Sequence, residues 1–321
     1  MFDHFAYSVL VAPALVLLGA WLLADRLKPA VAVKVFAWSA VTAAACATVN
    51  VLAFVLKAVS ELSAVAAWGG WSAEVVKADT AHVPWATGLS VVWFAVSSVA
   101  VLVGWRRYRA SLRAAWEEID HIEGHLEPGD LEPADADVVV LPDDRVDAFA
   151  LPGKSGDEGR VVVTTGLRDA LAAPQFAAVL AHERAHLDGG HHQLVWFTRL
   201  SAYANPLLWP LVRRVSYLVE RAADEEAARA TGSRGDVARA IAHAALAVKE
   251  TGAGPRPPGL LAMSSPPGVV PRRMAAMTGP EVRRRWLLGV PVVLAASTIV
   301  WTGECAYDLY ELLAYSSDEN D

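Results

Sequence analysis

Four long apolar blocks constrain the fold of this chain more than any other feature of its sequence. They cover residues 5–24, 35–56, 85–105 and 286–304. Each is close to the ~20 apolar residues that a helix needs to cross the hydrocarbon core of a bilayer. Apolar residues make up 54% of the chain and charged residues only 20%. The sequence therefore predicts a mainly α, polytopic membrane protein with about four transmembrane helices.

The first block could instead be a cleaved signal peptide, which requires a positively charged start and a small-residue cleavage site. Only Asp3 and His4 precede the block with any polarity, and its nearest positive charges, Arg26 and Lys28, follow it. This arrangement favours a retained transmembrane helix over a signal peptide.

The distribution of Lys and Arg predicts the orientation, because cytoplasmic segments beside membrane spans are enriched in both. Basic residues cluster after the first block, after the third and directly before the fourth: Arg26, Lys28, Lys34, Arg106, Arg107, Arg109, Arg113, Arg283, Arg284 and Arg285. These clusters share one face if both termini lie outside. Residues 106–285 would then form a cytoplasmic domain, and residues 305–321 a short, acidic external tail.

Residues 106–285 have the length of an ordinary domain, and their pattern predicts an inserted α+β unit. Strands are expected at 138–141, 147–151 and 160–164. Helices are expected at 106–123, 173–188, 206–231 and 235–251. We interpret the Pro-rich residues 254–271 as a loop or lid. Residues 194–218 fit either a packed helix pair or a segment that dips into the cytoplasmic leaflet, since their three arginines disfavour a full crossing.

The sequence His182-Glu183-Arg184-Ala185-His186 lies in the helix predicted at 173–188 and carries the chemistry. His182 and His186 are four residues apart, so they share a helix face and can chelate one zinc ion. Glu183 then lies beside the metal, where it can take a proton from water. A catalytic zinc needs a third protein ligand, for which Glu220 is the candidate. Asp224, one turn further, is a candidate for orienting a ligand histidine.

Each of these residues also has a less specific interpretation. A five-residue motif can arise by chance on a charged helix, and Asp224 could be an ordinary solvated carboxylate. His191 and His192 could lie near the metal, but we interpret them as loop or surface residues. The two cysteines, Cys46 and Cys305, have no spacing typical of a zinc site. A net charge of -7 argues against direct nucleic-acid binding.

The chain resembles the integral-membrane gluzincin peptidases, above all the BlaR/MecR antirepressor type and more distantly the HtpX-like and CAAX-protease peptidases. The resemblance is carried by residues 147–153, 161–167, 179–186 and 220–224. It implies a zinc domain that follows three spans and precedes a fourth. It also implies a single Zn²⁺ held by His182, His186 and Glu220. Glu183 would be the general base and acid, and Asp224 would lie behind the ligands.

The resemblance also implies that the strand around Phe149 and Ala150 is an edge strand that pairs with substrate, although Phe149 could simply be a core residue. Two features depart from the antirepressor family. Too few residues follow Cys305 for a penicillin-binding sensor domain, and Ser264-Ser265-Pro266-Pro267 stands where relatives have a His-Pro motif. Candidates for stabilising the oxyanion are therefore only Arg272, Arg273, His192 and Tyr217.

We expect a membrane zinc endopeptidase that cleaves a cytosolic or membrane-proximal protein. Regulatory cleavage of a DNA-binding repressor is the first expectation, and HtpX-like quality control of membrane proteins is the alternative. A non-catalytic, zinc-containing membrane receptor is disfavoured, because a structural zinc has no use for Glu183. Expected partners are a protein substrate and the lipid bilayer, with a homodimer as an open alternative.

Overall fold

A computed structural model describes residues 2–123, 137–154, 159–251, 261–262, 269–279 and 289–318. Several sequence predictions lie outside these residues. They are the loop at 124–136, the central part of the turn after Lys154, the Ser264–Pro267 segment, the basic cluster at 283–285 and the start of the fourth apolar block.

Four helices of the described chain are long and apolar enough to cross a membrane, which confirms the predicted polytopic architecture. The first, Phe2–Arg26, consists of α1 (Phe2–Ala6), a π-helical turn (Tyr7–Val11), α2 (Ala12–Leu23) and a 3₁₀ turn (Ala24–Arg26). The second is α3 (Pro29–Ser60), followed by the short helices α4 (Ser63–Gly69) and α5 (Ala73–Ala78). The third lies in α6 (Pro84–Glu123), which runs without a break into the predicted 106–123 helix.

The fourth span lies in α13 (Gly289–Asp318), which continues past Cys305 into the acidic segment predicted as an external tail. The helix continues because its apolar residues keep helical spacing. Cys305 and Leu309 are buried with Ala53 of α3 in a small apolar cluster. Most of the acidic tail is therefore helical and packs in part against the second span.

The inserted domain contains a four-stranded sheet in the order β1-β3-β2-β4. The strands are β1 (Val138–Leu141), β2 (Ala148–Leu151), β3 (Arg160–Thr164) and β4 (Leu261–Ala262). β1 runs parallel to β3, whereas β2 is antiparallel to both β3 and β4. The first three strands match the predicted strands within one residue, but β4 falls inside the predicted loop at 254–271.

Helices account for most of the remaining described part of the domain. They are α7 (Thr165–Ala170), α8 (Ala173–Asp188), α9 (His191–Ala204), α10 (Trp209–Thr231), α11 (Arg234–Thr251) and α12 (Val269–Thr278). A core cluster of Val161, Val163, Val179, Ile241 and Met277 joins the sheet to α8, α11 and α12. α12 begins at Val269, so residues 269–271 of the predicted loop are helical.

The helices α9 and α10 form a hairpin that packs among the membrane spans. Its inner face joins Leu194, Leu208 and Leu218 to Val33 and Phe36 of α3 in one apolar cluster. At its tip, Asn205 Nδ2 donates to the Val9 carbonyl at 2.9 Å, and Trp93 Nε1 donates to the Ala204 carbonyl at 3.2 Å. The structure thus packs residues 194–218 against three of the spans.

Candidate metal centre

The helix α8 positions the two motif histidines. Pro174 lies in its first turn, where its missing N–H costs nothing, and Gly189 caps its end. The face that α8 turns inward carries Val179, His182, Glu183 and His186, all at most 1% exposed. Burying polar side chains on an inward face costs free energy unless they have hydrogen-bond or metal partners. The burial of these residues therefore indicates a functional site.

The helix α10 crosses this face and contributes a carboxylate. His182 Nε2 and His186 Nε2 are 3.1 Å apart. Glu220 Oε2 lies 3.6 Å from His182 Nε2, and Glu220 Oε1 lies 3.8 Å from His186 Nε2. One ligand atom of each residue lies within 4.8 Å of the other two. The structure therefore brings together the three residues predicted to hold zinc.

Asp224 lies one turn beyond Glu220, buried behind His182. Its Oδ1 is 3.0 Å from His182 Nδ1. Burial alone would lower the pKa of His182, but the Asp224 and Glu220 carboxylates raise it to about 9. The contact fixes the ring so that Nε2 points at the cluster, as expected for the second partner of a metal-ligating histidine.

Arg273 of α12, predicted as a candidate oxyanion donor, is fully buried behind the cluster instead. Its Nε and Nη2 donate to the two Asp224 oxygens at 2.9 and 2.6 Å, and its Nη1 lies 2.8 Å from Glu220 Oε2. Although burial opposes it, the two carboxylates raise the pKa of Arg273. The guanidinium thus compensates and orients the acidic pair, and its donors are not free to face a substrate.

The other oxyanion candidates lie in different surroundings. The exposed Arg272 places its guanidinium 4.4 Å from the ring centre of the buried Tyr217. His192 lies partly exposed at the start of α9. Among the described residues, no contact indicates that Arg272, Tyr217 or His192 would stabilise the oxyanion.

Glu183 is buried, and its two oxygens have no hydrogen-bond partner among the described residues. Burial raises the pKa of its carboxyl to about 7. An unpartnered buried carboxyl is costly, so its position beside the cluster indicates a chemical role. A group that ionises near neutral pH is suited to accepting and returning a proton.

His191 is a buried residue of the cluster, so its interpretation as a loop or surface residue is wrong. Its side chain is 6% exposed, and its Nδ1 lies 3.1 Å from His186 Nδ1. Burial and the neighbouring His182 lower its pKa to about 4. His191 therefore contacts His186 from behind, as Asp224 contacts His182. Its position nine residues after His182, beyond the glycine pair, is the only signal of this role in the sequence.

The strand that carries Phe149 and Ala150 does not have the predicted free edge. Phe149 pairs with Ala262 and Ala150 pairs with Leu261, so β4 covers the side of β2 that faces away from β3. The prediction that this strand lies at the edge of the sheet is therefore wrong. Nothing in the sequence indicates β4, because a two-residue strand inside a Pro-rich segment has no periodic pattern.

The donor set fits a zinc ion. Two imidazole nitrogens and a carboxylate converge on one point, which is the His₂Glu ligand set of several catalytic zinc sites. His186 contributes a neutral imidazole, because burial, His182 and His191 hold its pKa well below its ordinary value. Glu183 is the neighbour of His182 in the chain and is not one of the three converging residues. Its carboxylate therefore stays available to take a proton from water.

The fold and this cluster define a membrane protein with an inserted metallopeptidase-type domain. Residues 122–286, about half of the chain, match the family described as peptidase family M48. The chain belongs to that family.

A protein described as a protease HtpX homolog from Chlorobium phaeobacteroides (strain BS1) is 38% identical over 82 residues. The aligned segment covers 26% of each chain, so it spans about a quarter of the relative's length. No solved structure matches the chain.

Proposed function

We propose that the protein is a zinc-dependent endopeptidase of the membrane, with His182, His186 and Glu220 as ligands and Glu183 as general base and acid. The observation that carries the proposal is the Glu183 carboxylate, unpartnered among the described residues, beside three converging ligand atoms. When bound, zinc would polarise the scissile carbonyl and acidify water. Glu183 accepts a proton from the attacking water and then donates it to the leaving amine.

The residues behind the site hold this arrangement. Asp224 orients His182, His191 orients His186, and Arg273 bridges Glu220 and Asp224. Such partners typically change metal affinity or activity by about 10–100-fold when removed. A substrate strand could pair with Phe149 and Ala150 only after β4 has left them.

The test is Glu183→Gln, which keeps the shape of the side chain and removes its basicity. We expect the variant to retain about one zinc per chain, measured by elemental analysis, and to lose cleavage of a peptide library. Glu118→Gln, at an exposed site on α6, is the matched control and should cleave normally. Activity of Glu183→Gln near that of this control would refute the proposed mechanism.

For the substrate, we propose regulatory proteolysis of a DNA-binding repressor, on the likeness to the BlaR/MecR antirepressor type. The proposed topology supports it, with both termini outside and residues 106–285 in the cytoplasm as the peptidase domain. A domain tethered by α6 and α13 can reach only proteins near the inner membrane face. The net charge of -7 disfavours direct contact with nucleic acid, so the repressor would be recognised as a protein.

Membrane-protein quality control is the second candidate, and the likeness to a protease HtpX homolog favours it. Comparative proteomics of wild type and Glu183→Gln cells under envelope stress separates the two. A repressor fragment that depends on Glu183 supports regulation. Accumulation of many membrane proteins, with repressors intact, supports quality control.

A further inference from the structure

The α9–α10 hairpin presents an unassigned cleft to the membrane surroundings. It is lined by Arg199, Tyr203, Trp209, Pro210, Val212 and Arg213, and its volume including the open mouth is about 1120 Å³. We call it the arginine cleft. None of its lining residues belongs to the cluster of His182, His186 and Glu220, so the proposed peptidase mechanism does not use it.

The depth of the cleft follows from the contacts of the hairpin. The tip reaches Val9, which lies about 26 Å along the first span from Arg26 at 1.5 Å per residue. Near the other end, Arg214 forms an ion pair with Asp25 at the end of that span, with 2.6 Å between Nη2 and Oδ2. The Arg214 side chain therefore reaches the end of the span, where lipid headgroups lie, and Arg213 is the residue before it.

Arg199 lies on the neighbouring helix α9. Its helix packs against α6, where Trp196 stacks on Tyr108 at a ring distance of 4.3 Å. Arg199 is one turn from Trp196 toward the tip, about 5 Å along α9. A long arginine side chain can direct its guanidinium toward the headgroup region.

The charges of the two cleft arginines are not balanced within the described part of the chain. Among the residues that the structure describes, no hydrogen bond or ion pair involves the side chain of Arg199 or Arg213, and the cleft has no acidic lining residue. Arg214, by contrast, is paired with Asp25. Two guanidinium groups of this kind at a membrane interface favour binding of a phosphate, because arginine binds phosphate through several N–H donors.

The remaining walls of the cleft suit the rest of a lipid. The rings of Tyr203 and Trp209 meet edge to face at 5.3 Å, and Trp209 is 44% exposed. Aromatic rings of this kind are enriched at the level of the headgroups. The exposed Pro210 continues the wall as apolar surface, which suits an acyl chain.

We propose that the arginine cleft binds one anionic phospholipid, with the phosphate between Arg199 and Arg213 and the glycerol region against Tyr203 and Trp209. Arg213 lies seven residues before Glu220 on α10, about 10 Å along the helix. A bound lipid would hold the helix that carries the third ligand. The site does not depend on the peptidase proposal, because its residues are separate.

Native mass spectrometry of the full chain in detergent tests the site. Delipidated protein is mixed with phosphatidylglycerol or with phosphatidylcholine of the same acyl chains. We expect one phosphatidylglycerol to be retained in preference to phosphatidylcholine. Arg199→Gln with Arg213→Gln should weaken retention about thirtyfold, or about fivefold for each arginine near the surface. Arg229→Gln, on an exposed part of α10, is the control and should bind as wild type.

Three results would overturn the proposal: equal retention of both lipids, retention by the double variant equal to the control, or displacement of the lipid by millimolar inorganic phosphate. The last would indicate a site for a free anion. Circular dichroism and size-exclusion chromatography of the double variant verify that it has folded. Should it fail to fold, the wild type decides, because phosphatidylglycerol and not phosphatidylcholine must raise its melting temperature.

Discussion

Arg273→Met separates a positioning role of Arg273 from a catalytic one. The arginine is fully buried, donates to both Asp224 oxygens and lies within 2.8 Å of Glu220. The substitution removes the guanidinium that both buried carboxylates contact and leaves them His182 as a remaining charged partner. Removing one partner of a buried ion pair costs about 3–5 kcal/mol. For a domain of the size of residues 106–285, this corresponds to a fall of roughly 6–20 °C in melting temperature.

The assay is thermal unfolding of purified protein in detergent, with Arg272→Met as the matched control. Arg272 is the neighbouring residue, is exposed and stacks over Tyr217. Loss of that cation–π contact at an exposed site costs only about 0.5–1 kcal/mol. If Arg273→Met melted at the temperature of this control while cleavage fell by about 10²–10³-fold, Arg273 would be an oxyanion donor. The positioning role of Arg273 would then be refuted.

Two further predictions concern His191 and the topology. His191→Ala should weaken zinc binding by about 10–100-fold in chelator competition, because His186 loses its buried partner; unchanged affinity would make His191 a packing residue only. Reporter fusions after Arg113 should read cytoplasmic and fusions at Glu74 external, whereas an external reading at Arg113 would remove cytosolic proteins as substrates.

Local patterns predict much of the fold. The limits of β1, β3 and α8 match the prediction, because clustered valines, a helical apolar period and the Gly189-Gly190 stop are all local signals. The candidate metal residues can be chosen for a similar reason. His182 and His186 share a helix face through their spacing alone, and a carboxylate on the next long apolar-patterned helix is the natural third ligand.

The features that the sequence does not predict depend on contacts between distant segments. Arg273 follows a Pro-rich stretch, and nothing local distinguishes it from Arg272. His191 is next to two glycines, which predict an exposed turn, yet the packing of α9 buries it against His186. β4 is two residues long, and its pairing with β2 exists only once the domain has folded.

The central claim is that His182, His186 and Glu220 hold one zinc ion. X-ray absorption spectroscopy at the zinc edge of the purified protein tests it directly. We expect a shell of nitrogen and oxygen at about 2.0–2.2 Å with the outer-shell scattering of two imidazoles, and loss of one imidazole in His186→Ala. A sulfur shell near 2.3 Å, which would require Cys46 or Cys305, or a spectrum unchanged in His186→Ala, would contradict it.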